Sequence, residues 1–489
     1  MFHRIRYVCI VILLLSLAVP AGAFAAPPDF SGGVNNEYKY DEMVFLTGEP
    51  VVFSGKMTRT EKTAKGITTV SYNFTLTSVD PAKKGKLSRK LSFVTTETVR
   101  PDKGQTTTTT GVAKGYKEDI EILGKKFSLA DYQFSKSDVV DNRPVSDFYS
   151  GNIVGKKTYI VNRGRSDEEE LTVTFSGGDI GFKNFWGNTE TQVIQQDITA
   201  KSWTGSVKST TSDSTAKKLT YQDNMANYTS FNGGYMRVTD GEMVSRYEYN
   251  LPVLKDGVVN ASSVDRNIGE RALKQSKVPK IERLIVPKFR DTEGHWAQEA
   301  IEKLYSLDIF EEKTEIFAPN IPISRYDFTV AVMRAADNRV TDPKTASKTK
   351  APVVNPFRDI RSTDPNLKYM QSAEAKGVVS GVRPSIFEPS GVLTRAQAVT
   401  ILIRALGFET KAPMTSYSTS FADNASIPYW AKDAVYAANE VGLVVGTSDG
   451  TFKPNKEMTR ADAAMMLSRF LEFIEKDLKV DYADNIVLY

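Results

Sequence analysis

Two hydrophobic periodicities divide the chain. From about Asn35 to Leu251 apolar and polar residues alternate, as they do between Val70 and Leu76. Alternation of this kind predicts strands with one buried face and one solvated face. Glycine-rich turns such as Gly177-Gly178 separate the segments. The pattern predicts an all-β region, residues 30–251, that is sandwich-like or elongated.

A polar, basic and proline-containing stretch follows, residues 252–288, and it predicts a linker with a short helix near Ile268 to Gln275. From Phe289 onward the apolar period lengthens to about 3.6 residues, which is typical of helices. Ala297, Ile301 and Leu304, for example, fall at positions i, i+4 and i+7. Such a stripe packs against other helices, so we expect an all-α C-terminal region.

The helical region contains three copies of one pattern, at residues 289–336, 357–408 and 421–473. Each copy has an aromatic-x-Asp start, a first helix, a Phe-x-Pro segment and a Ser/Thr-Arg pair that opens a second helix. The intervals from Asp to Arg are 34, 36 and 37 residues, and the copies recur every 64 to 70 residues. Agreement this close indicates true internal repeats.

Three repeated polar or aromatic positions supply the candidate binding residues. They are the leading aspartates Asp291, Asp359 and Asp423, the tryptophans Trp296 and Trp430, and the arginines Arg325, Arg395 and Arg460. Each arginine follows Ser324, Thr394 or Thr459, whose hydroxyl is suited to cap the second helix. The arginine then lies in the first turn, where the helix dipole disfavours a cation. A threefold repetition of this unfavourable placement suggests a bound anion.

The pattern closely resembles the S-layer homology (SLH) family over residues 289–473. This resemblance implies a pseudo-threefold helical bundle whose grooves bind a secondary cell-wall polymer, often through a sugar that carries a pyruvate ketal. It also implies that the motif arginines hold the ketal carboxylate, for which a planar guanidinium is well suited. On this basis we expect carbohydrate binding by the candidate residues and anchoring to a pyruvylated wall polysaccharide.

The copies depart from the family pattern in two places. Copy two has no tryptophan, and Tyr369 is its nearest aromatic. In copy one, Asp308 and Glu312 stand where copy three has Gly442 and Gly446. The divergence of copy one favours a groove that uses the arginine of copy two or copy three over one that uses Arg325.

Each motif residue also has a purely structural interpretation. Tryptophans in this position are more often core anchors of the first helix than ligand contacts. The aspartates are equally suited to capping a turn and to contacting a ligand. The arginines could bridge repeats through carboxylates, but the dipole argument and the resemblance together favour ligand binding.

The N-terminus predicts the compartment. Basic Arg4 and Arg6 precede an apolar run from Tyr7 to Val19, and small residues lead to Pro27. This order is typical of a secretory signal peptide, residues 1–26, and the apolar run is too short to span a membrane. We therefore expect a secreted protein of the cell wall or S-layer of a Gram-positive bacterium, without a membrane span in the mature chain.

Composition excludes several kinds of chemistry. The one cysteine, Cys9, lies in the predicted signal peptide, and the two histidines are His3 and His295. Thiol catalysis and zinc sites built from His and Cys are therefore excluded, and so is a serine protease triad within the β region unless His295 reaches it. The formal net charge of +4 is too small to predict a nucleic-acid partner. No catalytic residue, cofactor or metal site is predicted.

Two functions remain open for the β region. One is a structural, S-layer or adhesive module that self-associates in a surface lattice, and we expect this non-enzymatic function. The other is an anchored carbohydrate-active enzyme or carbohydrate-binding module with paired carboxylates. Four aromatics could then stack on sugars: Trp186, Trp203, Tyr228 and Tyr235. Aromatics of a strand-rich region are more often core residues, and a shared cleft would distinguish the two functions.

Overall fold

A computed structural model describes residues 32–64, 66–100, 103–222, 233–255, 258–260, 265–312, 314–336 and 355–478. The predicted signal peptide, residues 1–26, lies outside these ranges, as does Tyr228. Two regions follow one another, first strands and then helices. The predicted order of a β-rich region and a helical region is confirmed.

The strands belong to the first region. They are β1 (Val34–Asn35), β2 (Tyr40–Val44), β3 (Val51–Ala64), β4 (Ile67–Ser78), β5 (Gly85–Arg100), β6 (Gln105–Val112), β7 (Lys117–Ile122), β8 (Lys125–Asn142), β9 (Ser146–Val161), β10 (Glu169–Asn184), β11 (Gly187–Thr199), β12 (Thr204–Gln222), β13 (Gly234–Pro252), β14 (Leu254–Lys255), β15 (Val258–Val259), β16 (Arg266–Ser276) and β17 (Lys280–Arg283).

Fifteen of these strands form one continuous antiparallel sheet in which almost every strand pairs with its neighbour in sequence. β7 pairs with both β5 and β8, β17 pairs with β13, and β14 and β15 form a separate hairpin. The prediction of an all-β region is confirmed, and of its two forms, sandwich-like or elongated, two separate stacked sheets do not match this single sheet. The alternation along each strand predicts one buried face, but it does not distinguish two stacked sheets from a single sheet that curls around its own core.

The predicted linker also contributes to the sheet. β16 pairs with β13 from Arg266 opposite Pro252 to Ser276 opposite Glu242. The helix predicted near Ile268 to Gln275 is wrong, because good helix formers in this segment are overridden by hydrogen bonding to the free edge of β13.

The curl of the sheet brings its first strands against its last. Val34 of β1 packs on Met243 of β13. Asn36 donates from Nδ2 to Gln275 Oε1 of β16 at 3.1 Å, and Gln275 in turn donates to Asp41 of β2. Side-chain contacts of this kind cover two sheet edges that would otherwise expose unpaired backbone.

Four charged residues lie in the interior of this curled sheet. Glu42, Arg89, Glu118 and Lys157 are each at most 4% exposed. Arg89 contacts Glu42 at 2.7 Å and Glu118 at 3.0 Å, and Lys157 contacts Glu118 at 2.8 Å. The two cations and two anions balance, as burial of charge requires. Burial raises the pKa of Glu118, but Arg89 and Lys157 outweigh it and lower the pKa to about 2.

The described residues of the second region contain six α-helices: α1 (Gln298–Ser306), α2 (Arg325–Ala336), α3 (Leu367–Ala375), α4 (Arg395–Leu406), α5 (Tyr429–Glu440) and α6 (Arg460–Glu472). Each copy of the repeat contributes two of them. The predicted stripe of α1 is confirmed, since Ala297, Ile301 and Leu304 are fully buried. Across the described ranges, the helices all fall short of the length and apolar character that a bilayer crossing requires.

The two regions share a core. Phe148 and Trp186 of the sheet belong to the same buried cluster as the helices. Arg143 lies with its guanidinium 6.0 Å from the ring of Phe408, and Tyr235 donates to the carbonyl of Glu299 at 3.3 Å. These contacts hold the helical region at one end of the sheet.

Glu118→Gln tests the buried charges. The substitution leaves Arg89 and Lys157 without their shared carboxylate, so we expect the free energy of unfolding at pH 7 to fall by about 3–5 kcal/mol. Urea titration followed by circular dichroism measures this value. Glu121→Gln, on the exposed side of the same strand, is the matched control and should change little.

The difference in unfolding free energy between wild type and Glu118→Gln should also depend on pH. The folded pKa of Glu118 is about 2 and its ordinary value is 4.5. A carboxylate whose pKa is lowered in the folded state contributes its full stabilisation at pH values above its ordinary pKa. This stabilisation is lost as the pH falls towards the folded pKa. The difference between wild type and Glu118→Gln should therefore shrink from pH 4.5 to pH 2. A difference that is constant across this range would contradict the assignment.

Candidate functional site

A ring of three backbone hydrogen bonds lies at the centre of the helical region. The amide of Ile323 in copy one donates to the carbonyl of Met458 in copy three at 2.9 Å, Met458 donates to Leu393 in copy two at 2.9 Å, and Leu393 donates to Ile323 at 3.2 Å. All three side chains are buried. The ring closes on itself, so each copy contacts the other two in the same way, as the predicted pseudo-threefold arrangement requires.

The motif arginines begin the second helices two residues after the ring. Thr394 and Thr459 each accept a hydrogen bond from the third residue of the helix and complete a capping box. The hydroxyl of Ser324 accepts from the amide of Asp327 at 3.0 Å. The predicted N-caps are confirmed, and they hold each arginine in the first turn.

Each arginine lies over the phenylalanine of the Phe-x-Pro segment in the next copy. The guanidinium carbon lies 4.4 Å from the ring centre for Arg325 on Phe387, 5.2 Å for Arg395 on Phe452 and 4.3 Å for Arg460 on Phe317. We call these sites groove 1, groove 2 and groove 3 in that order. Each groove is therefore built from two copies, which spacing within one copy cannot reveal.

The leading aspartates hold the Phe-x-Pro segments. Asp359 accepts from the amides of Phe387 and Glu388, the second at 2.7 Å. Asp291 and Asp423 accept from the equivalent amides of their own copies. Both carboxylate oxygens are used in each case. Of the two interpretations of these aspartates, the geometry matches the turn cap.

We call these paired hydrogen bonds the aspartate clamp, and the backbone conformation of the Phe-x-Pro segment explains why they are needed. The middle residue of each Phe-x-Pro segment is Ala318, Glu388 or Lys453, and each has a left-handed φ between 56° and 59°. This conformation is costly for a residue other than glycine. Burial raises the pKa of Asp291 and Asp359, but the backbone hydrogen bonds outweigh it and hold both pKa values below the ordinary range. The charged carboxylates thus stabilise the strained turn.

A second arginine recurs nine residues after the first: Arg334, Arg404 and Arg469. Arg404 lies close enough to Arg325 to affect its pKa, and Arg469 does the same for Arg395. Sequence reasoning missed these residues, although the constant interval of nine was a visible signal. Grooves 1 and 2 therefore each contain two neighbouring cations.

Groove 1 opens into a cavity of about 380 Å³. Arg325, Arg404 and Trp430 line it, with residues 378–382 of copy two. Arg325 donates from Nη1 to the carbonyl of Phe387 at 2.8 Å and from Nη2 to that of Ser380 at 2.6 Å. Burial lowers the pKa of Arg325, because the charged form loses solvation.

The tryptophans are not core anchors. Trp296 is 62% exposed and Trp430 is 50% exposed, whereas the alanine that follows each is fully buried. The alanine takes the buried position at the start of the helix, and this leaves the larger ring outside. The prediction that these residues anchor the core is therefore wrong, and both rings are accessible to a ligand.

Groove 2 has the same construction. Arg395 donates from Nη2 to the carbonyl of Val445 at 3.0 Å, and its Nε is buried without a hydrogen-bond partner. Burial lowers its pKa as well. Within the ranges that the structure covers, neither Arg325 nor Arg395 has a carboxylate at ion-pair distance.

Groove 3 differs from the other two. Arg460 donates from Nη2 to Oε1 of Glu312, a residue of copy one. Arg334 forms an ion pair of 2.9 Å with the adjacent Glu311. The expectation that a groove with Arg395 or Arg460 is favoured over one with Arg325 stays a prediction, and the contact with Glu312 argues against its Arg460 part. Glu312, the divergent residue of copy one, lies against the arginine of copy three because each groove joins two copies.

Three of the four candidate aromatics of the β region lie in the described residues, and these three pack into cores instead of lining a common cleft. Trp186 and Tyr235 are buried, at 3% and 5% exposure, and Trp186 packs under the helices. Trp203 packs against the core of the sheet. These three are core residues, as the structural interpretation predicts. Among the described residues, the acidic and histidine side chains form no cluster suited to a metal ion.

A family model for the S-layer homology domain matches the chain at residues 288–329, 356–399 and 420–464. The helical region therefore carries three tandem S-layer homology domains, and the resemblance in the sequence is confirmed. Each match begins one residue before a copy of the repeat and ends within its second helix.

Several curated proteins are similar to part of the chain. An endoglucanase of Bacillus sp. (strain KSM-635) is 33% identical over 26% of this chain, and a surface layer protein of Brevibacillus choshinensis is 29% identical over 32% of it. A cellulosome-anchoring protein of Acetivibrio thermocellus is 34% identical over 20% of it.

The chain covers only 12%, 14% and 22% of these three relatives. Enzymes and surface-layer proteins occur side by side among them, so the likeness assigns no enzymatic activity. The three domains and the surface-layer relatives do assign the location, which is the bacterial cell wall and surface.

Asp359→Ala tests the aspartate clamp. Two amides lose a charged acceptor while Glu388 keeps its left-handed conformation, so we expect a loss of about 1–3 kcal/mol in the free energy of unfolding of the helical region. Hydrogen exchange at the amides of Phe387 and Glu388 should accelerate. Glu374→Ala, on an exposed helix face of the same copy, is the control.

The loss of unfolding free energy in Asp359→Ala should depend on pH. The folded pKa of Asp359 is lowered, so its stabilisation is present above the ordinary value of 3.8 and disappears as the pH falls through the folded value. Unchanged exchange at both amides in Asp359→Ala would show that the turn does not need its clamp.

Proposed function

We propose that this protein is held non-covalently on an anionic cell-wall polysaccharide through grooves 1 and 2. Arg325 and Arg395 capture a carboxylate of the polymer, and a pyruvate ketal on a sugar is the group we expect. The observation that supports this most directly is a pair of partly buried arginines without a carboxylate partner in the described part of the chain. A cation that loses solvation in this way gains most from an external anion.

The unused donors of these arginines suit a carboxylate. A guanidinium has five N–H donors in one plane. Arg325 uses two of them on the carbonyls of Phe387 and Ser380, and Arg395 uses one on that of Val445. Stacking on phenylalanine fixes the plane, so the remaining donors are held in place for bidentate binding.

Trp430 provides a surface for the sugar in groove 1. It lines the same cavity as Arg325 and is half exposed, so its ring can stack on a pyranose face while the arginine binds the acidic substituent. We assign Trp296 the equivalent function in groove 2 from the repeat of the motif. Ligand contact by the leading aspartates is not part of the proposal, because their oxygens bind backbone amides.

We assign the β region a structural, lattice-forming or adhesive function at the surface. Its packing on the helices holds it in a defined orientation relative to the grooves. The names of relatives, a surface layer protein and a cellulosome-anchoring protein, agree with a molecule whose helical domains hold another region on the wall. Self-association through the β region is part of the same proposal.

Binding of purified protein to cell-wall sacculi of the source organism tests the proposal. Loss of one charge-assisted bidentate contact costs about 1.5–3 kcal/mol, so Arg325→Ala and Arg395→Ala should each weaken binding about tenfold or more. The double variant should bind least. Mild acid removal of pyruvate ketals should weaken binding of the wild type to the level of the double variant.

Arg460→Ala is the matched control, since Arg460 has the same motif position but an internal carboxylate partner. It should bind sacculi almost as well as wild type. Equal binding by wild type and the double variant would contradict anchoring through these arginines, and undiminished binding to ketal-free sacculi would contradict the assigned anion.

A further inference from the structure

We propose that groove 3 is closed to anionic ligands by an internal carboxylate, Glu312, so that this chain has two working anion grooves and not three. The inference rests on the proposed function of grooves 1 and 2. It concerns the selectivity of groove 3 for charged ligands. From the repeat pattern alone, this groove would be expected to bind the same ligands as grooves 1 and 2.

The same backbone position differs in the three grooves. Gly377 and Gly442 end the first helices of copies two and three with a φ of 70° and 72°, and Asp308 takes the same left-handed conformation in copy one, at 57°. Four residues later come Gly381 and Gly446, but Glu312 in copy one. Groove 3 therefore gains a carboxylate where grooves 1 and 2 have no side chain.

The glutamate changes the partner of the motif arginine. In grooves 1 and 2 the Nη2 atom donates to a backbone carbonyl, that of the residue before the glycine. In groove 3 the Nη2 atom of Arg460 donates to the side chain of Glu312. Both side chains are largely buried, at 16% and 21% exposure. Glu312 thus gives Arg460 a carboxylate partner inside the groove, whereas Arg325 and Arg395 have only a carbonyl oxygen at the same atom.

The second arginine of groove 3 is paired with a carboxylate, as Arg404 of groove 1 is with Glu409 at 2.8 Å. Arg334 contacts Glu311 at 2.9 Å and donates to Asn366 Oδ1 at 2.9 Å. Copy two has Pro365 at the position that Trp430 takes in copy three, twelve residues before the glycine that follows the first helix. Groove 3 therefore differs from groove 1 in its paired Arg460 and in having no tryptophan at the repeated position.

An external carboxylate competes poorly with this arrangement. Glu312 belongs to the same chain, so its effective concentration at Arg460 far exceeds that of a dissolved ligand. A ligand that displaced it would also lie beside a partly buried glutamate without a partner, which is unfavourable for two like charges. The groove can accept neutral sugar at most.

Counting bound ligands by native mass spectrometry tests the proposal on the full mature chain. The probe is a methyl hexopyranoside that carries a pyruvate ketal, with its methyl ester as the uncharged control. Wild type should bind two probe molecules. Glu312→Gly gives groove 3 the glycine of the other grooves and should bind three, and Glu312→Gly with Arg460→Ala should return to two.

The reciprocal variant is Gly446→Glu. A Cβ atom at Gly446 would meet its nearest atoms at 3.4 Å, an ordinary contact, whereas one at Gly381 would lie 2.5 Å from two carbonyl oxygens. Gly446→Glu can therefore place a carboxylate beside Arg395 without displacing backbone. It should reduce the number of bound probe molecules from two to one.

Three outcomes would overturn the inference alone: three probe molecules on wild type, two on Glu312→Gly, or no reduction in Gly446→Glu. Glu312→Gln, which keeps the shape of the side chain, should also bind three, and it replaces the glycine variant if that variant does not fold. The absence of charge-dependent binding by every variant would instead refute anion capture in all grooves, and the proposed function with it.

Discussion

The ring of hydrogen bonds that joins Ile323, Leu393 and Met458 is the constraint on which the helical region depends. Each amide in it is buried and would lose a hydrogen bond if one copy shifted relative to the others. Because each motif arginine follows a ring residue by two positions, the ring also fixes where the arginines emerge. Binding geometry is thus set by backbone contacts and not by the flexible side chains alone.

The ring of hydrogen bonds explains why the three grooves have the same framework and how they can differ in charge. The ring presents each arginine to the Phe-x-Pro segment of the next copy, and the leading aspartate stabilises the left-handed conformation of that segment. The three frameworks are therefore alike. Selectivity then depends on the few side chains that face the guanidinium, and a change from glycine to Glu312 is enough to alter the charge of one groove.

Much of this could be predicted from the sequence, because the signals are local. Alternation along Val70 to Leu76, the stripe of α1 and the N-cap at Thr394 each depend on neighbouring residues. The single curled sheet and the strand at Arg266–Ser276 could not be predicted, since both depend on which edges meet. For the same reason the sequence does not reveal that Glu312 contacts Arg460, since the two residues are separated by more than two periods of the repeat.

The treatment of buried charge across the molecule supports the interpretation of grooves 1 and 2. In the sheet, Arg89 and Lys157 each have a carboxylate within 3.0 Å. In groove 3, Arg460 has Glu312. The fold thus supplies an internal anion at these three places where it buries a cation, as the cost of desolvation requires. Arg325 and Arg395 depart from this practice at two equivalent positions, both open to ligand-sized molecules or to solvent, and an anion from outside the chain is the partner that restores the balance.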